Sequence, residues 1–133
     1  MLAQTSGSNS DWLLTAAGAV SGAKVDLNGD GTAEEITRGP CGVTNCGFTI
    51  QGGRPLQQLA EIEGSILVIR AARLNSWPIL HSYAHLSANE GILDVWVHDG
   101  RRFVSVASIR LQGADVERVL APLQGLPVGP PSP

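Results

Sequence analysis

Between Val25 and Ile36 the chain has to turn sharply, and it does so over Asp26-Leu27-Asn28-Gly29-Asp30-Gly31-Thr32-Ala33-Glu34-Glu35. Short side-chain oxygens fall at alternate positions, Asp26, Asn28 and Asp30, and Gly31 follows where a turn this tight wants a residue without a Cβ. Thr32 comes next and Glu34 two residues later. Apolar residues flank the turn in short runs (Ala23 to Leu27, and Ala33 to Thr37) that read as strands, not as paired helices. A turn of this kind commits its surroundings to a β-rich fold.

The same spacing is a ligand pattern for a hard cation. Calcium takes six to eight oxygens, and a tight loop supplies them from alternate positions. With Asp26 as position one, Asp26, Asn28 and Asp30 stand at one, three and five, and Gly31 stands at the bend. Thr32 offers its backbone carbonyl at seven and Glu34 a carboxylate at nine. Position twelve is Thr37, not the bidentate glutamate of an EF-hand. The competing account needs no metal, since Asp and Asn side chains close such turns on their own backbone. An ion held here is expected to be structural and weak, in the class of about 10⁻⁴–10⁻³ M.

The loop resembles the strand-flanked calcium loops of FG-GAP and VCBS-type proteins and, more distantly, those of dockerins. The order of later features is similar to that of small exported bacterial proteins, mostly of unknown role. In those, such a loop precedes a Cys-Gly...Cys pair, a tryptophan-containing turn and a hairpin with Asp-Gly. Here the matching residues are Cys41-Gly42 to Cys46, Asn75 to Leu80, and Asp94 to Phe103, within roughly residues 23–107. The resemblance implies an exported β-rich fold more than it implies an activity. A propeller is excluded by length, because one loop is not a series of blades.

The rest of the chain reads mostly as strand. Leu59 to Glu63 alternates apolar and acidic residues, Ile66 to Ala72 is an apolar run expected to be buried on both faces, and Ile79 to Leu86 alternates loosely. Ile92 to Val97 and Phe103 to Leu111 flank Asp99-Gly100, a strong hairpin signal. Val116, Val119, Leu120 and Leu123 share one face of a helix over Ala114 to Leu123. Near the start, Asp11 to Ala19 reads as a short helix with Ser10 as N-cap and Trp12, Leu13 and Ala16 on one side. The expected fold is α+β, an antiparallel sheet with the C-terminal helix packed on it and the short N-terminal helix beside it. Residues 1–9 read as a flexible segment, 10–124 as one globular domain, and 125–133, with four prolines, as a disordered tail.

Composition narrows the function. The chain has 133 residues, enough for a core, and its net charge of -3 argues against a general nucleic-acid binder, which needs a basic face. No apolar stretch approaches the roughly 20 residues of a membrane helix. Ala3 before Gln4 looks like the remnant of a signal-peptidase site, although Met1 also reads as a native start. Cys41 and Cys46 are the only cysteines, and on an exported chain they are expected to pair; two buried thiols are the alternative. Export to the periplasm or the extracellular space is the reading these features share.

Catalytic patterns are weak. The sequence has no nucleophile elbow and no phosphate-binding or dinucleotide fingerprint. Glu61, Glu63, Glu90 and Asp94 are the carboxylates from which an acid–base pair would have to come. His81 and His85 lie four residues apart, which in a strand is roughly 13 Å, too far for one zinc ion. Arg101 and Arg102 at the hairpin tip, and Trp77 beside Pro78, are the candidates for contact with a partner. The expectation is therefore a non-enzymatic exported protein that binds another protein, as an inhibitor or immunity factor of a secreted hydrolase. The alternatives are a calcium-stabilised binding or adhesion module and an uncatalogued hydrolase.

Overall fold

Nine strands and one helix account for about two thirds of the residues described by the structure, a computed structural model covering residues 10–131. The readings made on residues 1–9 and on the last two residues lie outside that range. In chain order the elements are β1 (Trp12–Thr15), β2 (Gly22–Val25), β3 (Glu34–Cys41), β4 (Cys46–Gly52), β5 (Gln57–Gly64), β6 (Ile66–Leu74), β7 (Trp77–Ser87), β8 (Glu90–His98), β9 (Phe103–Gln112) and α1 (Ala114–Gln124). Among these residues no helix is long and apolar enough to cross a membrane.

The strands form two antiparallel sheets, not the single sheet expected. One has the order β2-β3-β4-β5 and the other β1-β6-β7-β8-β9. Alternation explains the division. Ile36, Phe48, Ile50 and Ile62 present one apolar face of the smaller sheet, which is buried against Trp12, Leu14, Leu67, Ile69, Leu80 and Phe103 of the larger one. The opposite face of the larger sheet packs on the helix: Leu13, Ile66, Val68 and Tyr83 meet Val116, Leu120 and Leu123. The C-terminal helix therefore covers a sheet, as its periodicity implies. Of the run Ile66 to Ala72, expected to be buried on both faces, Ile66 to Ile69 are, whereas Arg70 and Ala71 are half-buried and Ala72 is exposed.

No helix forms over Asp11 to Ala19. Trp12 to Thr15 is strand β1, paired antiparallel with Ile69 to Ile66. Four residues are too few to separate a helical period from a strand period, and pairing buries Trp12, Leu13 and Leu14 together, which one helical face does not. Asp11 serves the sheet instead: its carboxylate accepts from the Ala71 N–H at 2.6 Å and from Arg70 Nη1 at 3.0 Å.

The proline-rich segment after α1, read as part of a disordered tail, is extended but tied down through Gly129. Leu13 N–H donates to the Pro127 carbonyl, Gly129 N–H donates to the Leu13 carbonyl, and Val128 forms a parallel bridge with Leu13. Prolines leave few amides to pair, and the segment uses Gly129 and its own carbonyls to cover the outer edge of β1. Arg38 of β3 reaches the β1–β2 connection, donating to the carbonyls of Thr15 at 2.7 Å and Gly18 at 2.6 Å.

One glycine is fixed by packing alone. A Cβ at Gly91 would stand 2.1–2.4 Å from the Oη, Cζ and Cε1 of Tyr83, a side chain that is 1% exposed. Gly91→Ala is expected to destabilise the fold by about 1–3 kcal/mol, the usual range for overpacking a filled core. Urea unfolding checks it, and an unchanged midpoint would show that Tyr83 is free to shift.

Candidate functional site

The loop between β2 and β3 folds around the Asp26 carboxylate. Its Oδ1 accepts from the backbone N–H of Gly29 at 2.8 Å and of Asp30 at 3.2 Å, and its Oδ2 from Gly31 at 2.7 Å. Asn28 Oδ1 accepts from Asp30 N–H, and Asp30 Oδ1 from Thr32 N–H. Gly29 and Gly31 both take positive φ, 76° and 89°, which a residue with a Cβ adopts only at a cost. The turn is thus closed by its own side chains, as the metal-free account requires.

Closing the turn also gathers charge. One carboxylate oxygen from each of Asp26, Asp30 and Glu34 lies within 4.8 Å of the others, and this is the one such acidic group among the described residues. Two oxygens on one calcium at 2.3–2.6 Å are at most about 5.2 Å apart, so the three fit a single ion. Among the described residues none of the three is in an ion pair. Asn28 and Thr32 line the same cleft as Asp30 and Glu34.

Glu34 is the unusual member. It opens β3, is 2% exposed, and accepts the Leu27 N–H at 2.7 Å. Its chain lies over Gly52 of β4, where a Cβ would stand 2.8 Å from the Glu34 Cγ. Burial pushes the Glu34 carboxyl above the ordinary carboxylate range; the Leu27 N–H works against this, and the neighbouring Asp30 and Asp26 add to it. Position nine in the sequence pattern pointed to Glu34 as a ligand, but nothing in that pattern marked it as buried.

Beside the loop is a cleft of about 480 Å³. Its wall includes Trp77, His98 and Arg101, together with Arg54 from the β4–β5 turn and Gln57 at the start of β5. Trp77 is half-buried and stacks on His98, with ring centroids 4.1 Å apart and planes 4° from parallel, and Phe103 meets both rings edge-on. His98 Nδ1 accepts from the Gly100 N–H at 3.0 Å, and burial lowers the pKa of the ring while Asp99 opposes the shift. At the hairpin tip, Asp99 Oδ1 accepts from the N–H groups of Arg101 and Arg102, and these bonds hold its carboxyl below the usual range.

Two of the three candidate contact residues, Trp77 and Arg101, therefore stand along the same cleft as the loop; Arg102 does not line it. Sequence reasoning did not join Trp77 and Arg101 to the loop, and it missed His98 and Arg54. Only the topology, which brings the β2–β3, β4–β5 and β8–β9 connections together, reveals that grouping. Cys41 and Cys46 form a disulfide at the far end of β3 and line a separate cleft with His85. The other carboxylates are dispersed: Glu61 and Glu63 are exposed on β5, and Glu90 pairs with Arg110 at 2.6 Å. His81 and His85 both lie on β7, and the Nδ1 of His81 is taken by Arg70 at 2.8 Å.

No known protein family, curated protein or solved structure matches the chain. The site is read from its own chemistry, and Glu34 gives that reading a pH signature. A carboxyl whose folded pKa is raised contributes stability that is present below its unfolded pKa and is lost as pH rises through the folded value. With a chelator present, the melting temperature of the wild type relative to Glu34→Gln is expected to fall as pH rises from about 4.5 through that raised value. Parallel melting curves across the window would count against a buried, charged Glu34.

Proposed function

We propose that the chain is an exported, non-enzymatic protein that binds another protein at the cleft beside the Asp26 loop, with a weakly held calcium ion fixing the loop. The observation that carries this reading is the convergence of Asp30, Glu34, Trp77 and Arg101 on one cleft. Three carboxylates in one small space, with no cationic side chain paired to them among the described residues, favour a divalent ion as their counter-charge. The loop's resemblance to FG-GAP and VCBS-type calcium loops supports the same assignment. The disulfide supports an oxidising compartment, periplasmic or extracellular. Trp77 and Arg101 are residue types that anchor protein interfaces, and Arg102 beside them extends the basic tip. A secreted hydrolase is the partner class this reading favours, with the chain as its inhibitor or immunity factor.

Two measurements test it. With a dissociation constant near about 10⁻³ M, ~10 mM calcium is expected to stabilise the fold by about 1.4 kcal/mol, a rise of a few degrees in melting temperature. Asp30→Ala is expected to remove the rise; magnesium at the same concentration tests for a general ionic effect. For the partner, pull-down from envelope extracts is expected to retain a hydrolase on the wild type and lose it with Arg101→Glu/Arg102→Glu. The exposed Val106→Asp on β9 serves as the control, and equal retention by all three proteins would sink the assignment of the surface.

A further inference from the structure

The cleft carries charge of both signs. Asp30 and Glu34 line part of it, and Arg54 and Arg101 line it as well. Both arginines are exposed, and among the described residues neither guanidinium is in an ion pair. Left to themselves, the acidic group and the arginines would suit a ligand of either sign. His98 decides between them.

His98 is 4% exposed, and its Nδ1 accepts from the Gly100 N–H. An acceptor at Nδ1 places the proton of the neutral ring on Nε2. Among the described residues that buried Nε2 has no hydrogen-bond partner. A buried donor without an acceptor is destabilising, and in a native fold it calls for an explanation. A half-turn of the ring keeps its stack on Trp77 but gives up the bond from Gly100, so it only moves the deficit to another group. The missing partner is an acceptor, and the nearby unpaired guanidiniums favour an anionic one.

We propose that this cleft is a carboxylate-binding subsite, taking an acidic side chain from a segment of the partner protein. His98 Nε2–H and the Arg54 and Arg101 guanidiniums are its donors, and Trp77 is its apolar wall. This rests on the reading that the chain binds another protein at this cleft. The loop ion belongs to the same logic. Asp26, Asp30 and Glu34 repel an incoming carboxylate when bare, and a divalent cation among them offsets most of that charge. Calcium and the acidic segment therefore raise each other's affinity, as linkage requires.

The test uses two labelled octapeptides, one alternating glycine with glutamate and one alternating glycine with glutamine, with anisotropy read in millimolar calcium. The glutamate peptide is expected to bind at least about tenfold more tightly than the glutamine one. Arg54→Gln/Arg101→Gln is expected to weaken it by about tenfold or more, while Arg118→Gln on α1 leaves it unchanged. His98→Phe keeps an aromatic ring against Trp77 and removes the orphaned N–H. It is expected to weaken the glutamate peptide several-fold while raising the melting temperature, a pairing that a purely structural histidine would not give. Equal binding of the two peptides, or indifference to the arginine pair, overturns the proposal. Equal competition by free glutamate reassigns the subsite to a small acid and overturns the peptide reading. Calcium calorimetry on the same samples separates the two levels: peptide binding without calcium heat keeps the subsite and removes the ion, and calcium heat without peptide binding does the reverse.

Discussion

Ile66 and Val68 leave β6 on one face, Leu67 and Ile69 on the other, and all four are buried. The first pair lies in the core under α1, the second in the core between the sheets. Each such side chain contributes roughly 1.5–3 kcal/mol by leaving water, so this short stretch anchors two cores at once. It also creates a problem. A strand with one wet face is held in register by its pattern, because a one-residue slip exposes its apolar side chains. A strand buried on both faces loses that safeguard. Register here is set by specific contacts: Asp11 on the Ala71 N–H and on Arg70, and Ser65 N–H on the Tyr83 carbonyl.

The loop draws on that frame through Glu34. Its carboxylate holds the N–H of Leu27, and Leu27 is itself part of the core between the sheets. The charge state of the loop and the packing of the core therefore share one residue. An ion that favours the ionised form of Glu34 also fixes the entry of β3. At the other end of the same strand, the disulfide closes the hairpin and Asn45 clamps it to β7, donating to the His85 carbonyl and accepting its N–H.

Where local chemistry dictates structure, the sequence was readable. The Asp26 turn, the Cys41–Cys46 pairing, the Asp99-Gly100 hairpin and the apolar face of α1 each depend on residues close together in the chain. Where the outcome depends on partners far away, it was not. Trp12 to Leu14 became a strand because β6 offers an edge, and the proline-rich segment is held because Leu13 offers an amide and a carbonyl. The division into two sheets follows from which apolar faces meet, and no single strand encodes that. The candidate site shows the same boundary. The five loop residues are a local pattern, but the stack of Trp77 on His98 joins residues 21 positions apart, and nothing in either neighbourhood announces it.

The two ends of the sandwich differ in how well their polar groups are satisfied. At the disulfide end, Asn45 uses both its amide oxygen and its nitrogen, and the Ser65 hydroxyl also finds a carbonyl. At the loop end, a buried carboxyl is crowded by two others and a buried imidazole keeps an unpaired N–H. Both defects are costly in a low-dielectric setting, although each group also holds a backbone N–H, Glu34 that of Leu27 and His98 that of Gly100. Chains that satisfy their polar groups elsewhere usually tolerate such exceptions where a ligand completes them. On the proposed reading a cation would answer the first defect and an anionic oxygen the second, and ligands of opposite sign would let acidic and basic side chains share one cleft without pairing with each other.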